Sequence, residues 1–221
     1  MGKMIMRKKG IFFTFIAITM MAVFILIFTP KSDISLQTET QVVSKRISSL
    51  ENYINELESG YFETVLKATT HKTVLSLIFY INTTDSFLTN LDSAFSEVMI
   101  TGKINGVDID AITGKKIMEN STLTNWTNRI MEAAKDTLNV NTTIVINNAS
   151  LTQTSPWKIE SSLSLNLTVK SDIAEWKKLT IVTTAISIEE FYDPYYLVNT
   201  NGLYTNKIKK SSVDFDQWNL A

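Results

Sequence analysis

Groups able to do chemistry are few in this chain and far apart. Its one histidine, His71, lies in the polar stretch Ala68-Thr69-Thr70-His71-Lys72-Thr73 with no acid or nucleophile signature around it, and a solvated surface imidazole accounts for it. Asp108 and Asp110 alternate in Val107-Asp108-Ile109-Asp110, and alternate carboxylates can share a divalent cation. The segment lacks EF-hand spacing, however, and on an extended strand both side chains would point to one solvated face. Glu189, Glu190 and Asp193 form a small acidic cluster at a predicted strand end. Paired carboxylates do acid–base work only when the fold brings them together. No Gly-rich phosphate loop, Walker signature or Gly-x-Ser-x-Gly elbow is present, and seven glycines leave little material for one.

Composition narrows the classes further. The absence of cysteine excludes a disulfide framework, a thiolate zinc site and a Cys nucleophile, and a single histidine excludes a multi-histidine metal site. A formal charge of −1 with no basic face argues against nucleic acid as a partner. With 221 residues, 44% of them hydrophobic, the chain is long enough to bury a core. The expectation is a protein without enzymatic activity, cofactor or metal. What remains for recognition is aromatic: Trp126, Trp157, Trp176, Tyr192, Tyr195, Tyr196 and Tyr204. Packing is the common fate of such side chains; Tyr192, Tyr195 and Tyr196 form the candidate contact patch.

The elements that must carry these residues begin with a membrane anchor. Lys3, Arg7, Lys8 and Lys9 make the first ten residues basic, and the 19 residues Ile11–Thr29 that follow carry no charge and end at Pro30. As a helix this run is roughly 28 Å long, close to the hydrocarbon thickness of a bilayer. A cleaved secretory signal has a shorter apolar region and a small-x-small cleavage site, which Phe28-Thr29-Pro30-Lys31 does not supply. The basic cluster places the N-terminus in the cytoplasm and the remainder outside. Four cations in the leader of a chain of net charge −1 leave −5 on residues 11–221, and no second run approaches a span, so the expected topology is single-pass in the cell membrane. Six Asn-x-Ser/Thr sequons, at Asn82, Asn120, Asn125, Asn141, Asn148 and Asn166, all lie beyond the span and are candidate N-glycosylation sites of an extracellular glycoprotein.

Past Pro30, Val43, Ile47, Leu50, Ile54, Leu57 and Tyr61 step by four and three, which predicts an amphipathic helix over Ser32–Ser59, stopped by Gly60. Such a helix packs either on its own domain or on copies of itself. Further helices are predicted over Glu63–Ile81, over Thr84–Glu97, and from Thr122 onward with Asn120 or Ser121 as cap. Asn105-Gly106 between two β-prone runs predicts a hairpin. Thr142–Ala149, the strictly alternating Trp157–Lys170 and Leu179–Ile188 read as strands of an antiparallel meander. After Asp193-Pro194 no clear element is predicted, and no internal repeat is present.

Lys8-Lys9-Gly10 followed by Ile11-Phe12-Phe13 resembles the start of a type IV pilin-like precursor. That resemblance implies prepilin-peptidase cleavage between Gly10 and Ile11, with the apolar segment retained as the first half of a long helix and self-association through that helix. Pro30, the amphipathic continuation and the helix-then-sheet order fit it. The fifth mature position is Phe15 where the family usually carries Glu. The stretch Ile188-Glu-Glu-Phe-Tyr-Asp-Pro-Tyr-Tyr-Leu-Val-Asn-Thr is similar to archaeal surface proteins with one N-terminal anchor. The expected fold class is α+β: a transmembrane helix continuing into an amphipathic helix, then packed helices and an antiparallel sheet of about five strands. The expected organisation is a leader (1–10), a span (11–30), a stalk (31–60), an extracellular α+β domain (61–200) and a polar tail (201–221). The expected function is a membrane-anchored structural or interaction protein of the cell surface, with the lipid bilayer as partner. The alternatives are a ligand-binding or sensory ectodomain acting through a separate signalling partner, and an envelope enzyme using Glu189 or Asp193.

Overall fold

The computed structural model describes Met20 and residues 32–210. The predicted leader, its Gly10–Ile11 cleavage site and, apart from Met20, the predicted span lie outside the described residues. Among the described residues no helix is long and apolar enough to cross a membrane. The chain divides after Glu51 into two compact units. The described part of the first is helical, residues 32–51. The second begins at Asn52 and holds both sheets and the helices around them.

Helical residues follow one another without a break from α1 (Ser32–Glu56) through a π turn (Leu57–Tyr61) into α2 (Phe62–Thr84). Gly60 therefore does not stop the helix as its residue type predicts. A glycine ends a helix by taking a left-handed φ. Gly60 does not take one, and Thr64 Oγ1 donates to its carbonyl at 2.8 Å within the continuing helix. The left-handed residue is Asp85, φ 47°, which closes α2.

That closure also corrects the next helix. Residues 85–90 form a loop, and α3 (Leu91–Thr101) starts only after Asn90, whose extended backbone lets its side-chain oxygen accept from Ser93 N at 3.0 Å. Phe87 and Leu91, which the spacing assigns to an apolar helix face, are 54% and 51% exposed.

Asn105 (φ 51°) and Gly106 (φ 79°) make the predicted turn, between β1 (Lys103–Ile104) and β2 (Val107–Asp108). Both arms are shorter than the sequence predicts. Val98–Thr101 belongs to α3, and Asp108 leaves the strand to cap α4 (Ile109–Thr113), accepting from Asp110 N at 2.9 Å. Asp108 and Asp110 thus do not share a strand face. The amphipathic helix α5 (Leu123–Leu138) buries Leu123, Ile130 and Ala134. Its cap is Thr122, not Asn120 or Ser121: Thr122 Oγ1 accepts from Asn125 N at 3.2 Å, while Asn120 sits at φ 57°.

The three long strands β3 (Asn141–Ser155), β4 (Lys158–Lys170) and β5 (Glu175–Ser187) form an antiparallel meander in that order. The five described strands thus separate into sheets of three and two rather than one sheet of five. Helices flank the two-residue strands β1 and β2 on both sides, so the hairpin has no length with which to join the meander. The alternation of β4 is realised: Ile159, Ser161, Leu163, Leu165, Leu167 and Val169 are buried. Helices α2, α3 and α5 pack against this sheet, giving a two-layer α+β fold.

Residues 188–208 are more ordered than their composition suggests. Asp193 accepts from Tyr195 N at 2.9 Å and caps α6 (Pro194–Asn199), with Pro at the start where no N–H is needed. Residues 206–208 then return antiparallel to 190–193, and Phe191 and Leu197 pack with Ile78 of α2.

Candidate functional site

Two carboxylates organise loops beside the helices: Glu97, which local spacing does not single out, and Asp110, which it singles out for a different task. Glu97, near the end of α3, accepts from Asn105 N (2.9 Å) and Gly106 N (2.7 Å), holding the hairpin turn. Asp110 accepts from Ile117 N (3.1 Å), Met118 N (2.9 Å) and Glu119 N (2.8 Å), gathering the backbone ahead of α5. Charge-assisted bonds of this kind are about twice as strong as neutral ones. Beside Asp110 opens a groove of about 600 Å³ with a mixed lining, including Gly102, Asp108, Asp110, Ala111, Met118 and Glu119. Lys116 pairs with Glu119 at 3.4 Å on its rim. Asp110 already serves three amides and Asp108 a fourth, so the pair works as loop scaffolding. Among the described residues, no three His or acidic side chains gather to hold a metal ion.

The predicted acidic cluster is divided among separate tasks. Asp193 caps α6, Glu190 pairs with Lys207 at 3.0 Å, and Glu189 is exposed. The Glu190 carboxylate raises the Lys207 ammonium above its ordinary range, through the hydrogen bond first and the charge second. His71 is also exposed, its ring edge-on to Phe191 at 5.0 Å, beside the returning C-terminal segment.

Two of the three candidate tyrosines meet each other, and Tyr204 joins them. Tyr195 and Tyr196 meet at 5.8 Å with rings near perpendicular, and Tyr196 meets Tyr204 at 5.7 Å. Thr200 ties the turn: its Oγ1 accepts from Tyr204 N at 3.0 Å and donates to the Tyr196 carbonyl at 2.7 Å. The backbone of Tyr192 bridges to Lys207, and its side chain is exposed. With Leu203 92% exposed at its tip, the result is an aromatic knob on a short helix. The contribution of Tyr204 comes from a chain reversal that spacing along the sequence does not announce.

Five of the six sequon asparagines are exposed: Asn82, Asn120, Asn141, Asn148 and Asn166. Asn125 is half-buried in the first turn of α5. Near the sheet, Glu58 of the π turn accepts from Lys178 Nζ (2.6 Å) and Thr180 Oγ1 (3.0 Å) on β5. Tyr53 hydrogen-bonds Thr142 of β3 at 3.3 Å, and burial pushes its hydroxyl above the usual tyrosine range.

Comparison with protein-family models, with curated proteins and with solved structures finds no match to this chain.

Proposed function

We propose that this chain is a membrane-anchored surface protein with a structural or interaction role, a pilin-like subunit held by Ile11–Thr29 and displaying its α+β domain outside the cell. The observation that carries this reading is a series: a basic leader, an uncharged run of bilayer length, and helical residues that continue unbroken from Ser32 to Thr84 before an antiparallel meander. A long helix whose later part packs on a sheet is the order that the pilin-like resemblance implies. The function is then mechanical, with the apolar segment seated in lipid or a filament core and the domain presenting contact surface. Mass spectrometry of the mature N-terminus tests it. A chain beginning at Ile11 supports the processed, pilin-like form, and one beginning at Met1 removes it. Protease shaving of whole cells that leaves residues 52–210 intact removes the external location as well.

A ligand-binding or sensory domain coupled to a separate signalling protein is the second reading, favoured by the Tyr195–Tyr196–Tyr204 knob, in which Tyr195 and Tyr204 are exposed. Ligand-dependent thermal shift that disappears in Tyr195→Ala supports it; a flat response across broad small-molecule panels counts against it.

A further inference from the structure

Half of the sequons share one surface. On β3 the residues packed beneath the helices are Thr142, Ile144 and, after an irregularity, Ala149. Asn141 therefore faces away from the helices. The register shift between Ile146 and Asn148 resets the phase of β3, so that Asn148 lies opposite Ser164 on that same outer face. On β4, Leu165 and Leu167 are buried and Asn166 points outward between Val145 of β3 and Leu179 of β5. In an extended strand, residues i and i+2 project from one side. Each of these sequons thus presents both determinants outward: Asn141 with Thr143, Asn148 with Ser150, Asn166 with Thr168, while Thr142, Ala149 and Leu167 between them are buried. Asn166 Nδ2 donates to Asn147 Oδ1 at 3.2 Å, an exposed bond that water can replace.

The other three sequons, two on helices and Asn120 in the turn ahead of α5, are built differently. Thr122, the hydroxyl partner of Asn120, is buried and spent on capping α5. Thr127, the partner of Asn125, is buried and donates to the Thr124 carbonyl at 3.0 Å. Thr84, the partner of Asn82, donates to the Tyr80 carbonyl at 2.9 Å, and on a helix residues two apart diverge.

The same outer face carries Val145, Leu179 and Ile181, at 52%, 59% and 67% exposure. Asn166 stands directly between the first two, and Ser164 joins Asn148 to Ile181 across the strands. Apolar side chains in this position are solvated at a cost, and sugar rings laid over them would relieve it.

We infer that the outer face of the β3–β4–β5 sheet is a glycan-acceptor face, in which Asn141, Asn148 and Asn166 take N-linked sugar from the folded chain while Asn120 and Asn125 do not. This rests on the external location proposed for the domain. The donor class is a polyprenyl-phosphate- or diphosphate-linked oligosaccharide. The asparagine Nδ2 attacks the anomeric carbon, an N–C bond forms and the C–O bond to phosphate breaks. The lipid phosphate leaves with the electron pair, and Nδ2 gives up one proton.

The test incubates the folded, detergent-solubilised full chain with an oligosaccharyltransferase and its lipid-linked donor, alongside short peptides bearing each of the six sequons. Peptide mass spectrometry reads each site. The expected result is modification of all the peptides, but in the folded chain modification of Asn141, Asn148 and Asn166 with loss of acceptance at Asn120 and Asn125. Modification of Asn120 and Asn125 equal to that of the strand sites overturns the inference, as do unmodified strand sites beside modified peptides. Thr168→Val, which suits a strand, should lose acceptance at Asn166 alone; loss at all three sites instead would overturn the shared face. Chain recovered from its own membranes adds the cellular arm. Shaving that releases the domain with Asn141, Asn148 and Asn166 bare sinks the glycan face and leaves the anchor standing. Shaving that cannot reach the domain sinks the anchor itself.

Discussion

The two faces of the three-stranded sheet are made by the same strands in the same register, yet they obey different rules. Toward the helices, Leu163, Leu165, Leu167 and Val169 are 3% exposed or less. On the other side, Asn166 and Thr168 stand beside Val145 and Leu179, which remain half in water. Alternation alone assigns a residue to a face; what the face becomes depends on whether helices cover it. The covered side stabilises the domain, and the uncovered side is free to serve recognition or modification.

The contrast is most sharply tested by matched truncations. Leu165→Ala should destabilise the domain by about 2–5 kcal/mol in urea unfolding, by lost transfer energy plus a cavity. Ile181→Ala on the opposite face should stay within about 0.5 kcal/mol. Equal costs would mean that the outer face is also packed. Asp110→Ala removes the acceptor of three loop amides and should cost about 2 kcal/mol. It should also speed hydrogen exchange at Ile117, Met118 and Glu119 while leaving β4 protected; unchanged exchange there would deny Asp110 its clamping role.

A smaller effect of opposite sign comes from the covered side itself. Ser161 is fully buried on β4 and its Oγ has no hydrogen-bond partner. Ser161→Ala should therefore stabilise by up to about 1 kcal/mol, read as a raised urea midpoint with unchanged slope; a loss would show that the hydroxyl is satisfied. Smallest is a pH effect. Because the folded pKa of Tyr53 is raised, chiefly by burial, its contribution is complete below the ordinary value of 10.0 and is lost as the pH rises through and beyond it. Tyr53→Phe should flatten that alkaline decline by under about 1 kcal/mol, since part of the ring stays solvated.

Where a pattern is carried by neighbours in sequence, it was legible. The β4 alternation, the Asn105-Gly106 turn and the apolar face of α5 needed only local rules of pleat, left-handed φ and helical period. Phe87 misleads because its spacing fits a helix, whereas the left-handed Asp85 and the cap at Asn90 decide the backbone there. Gly60 misled because its residue type signals an end, while a π turn carries the helix through it. The site residues divide the same way. The sequons could be read directly, but which of them share a face depends on an irregularity in β3 that no composition signal marks. Glu97 and Asp110 act on amides seven to nine residues away, and Tyr204 joins its partners only through a reversal.

The strand order places β5 at a margin of the meander, where a row of backbone amides and carbonyls would readily recruit a foreign strand. Glu175, Lys177 and Lys178 stand along its first half, with Lys178 held by Glu58. Charge at the start of this strand is a built-in deterrent to unwanted sheet extension between neighbours.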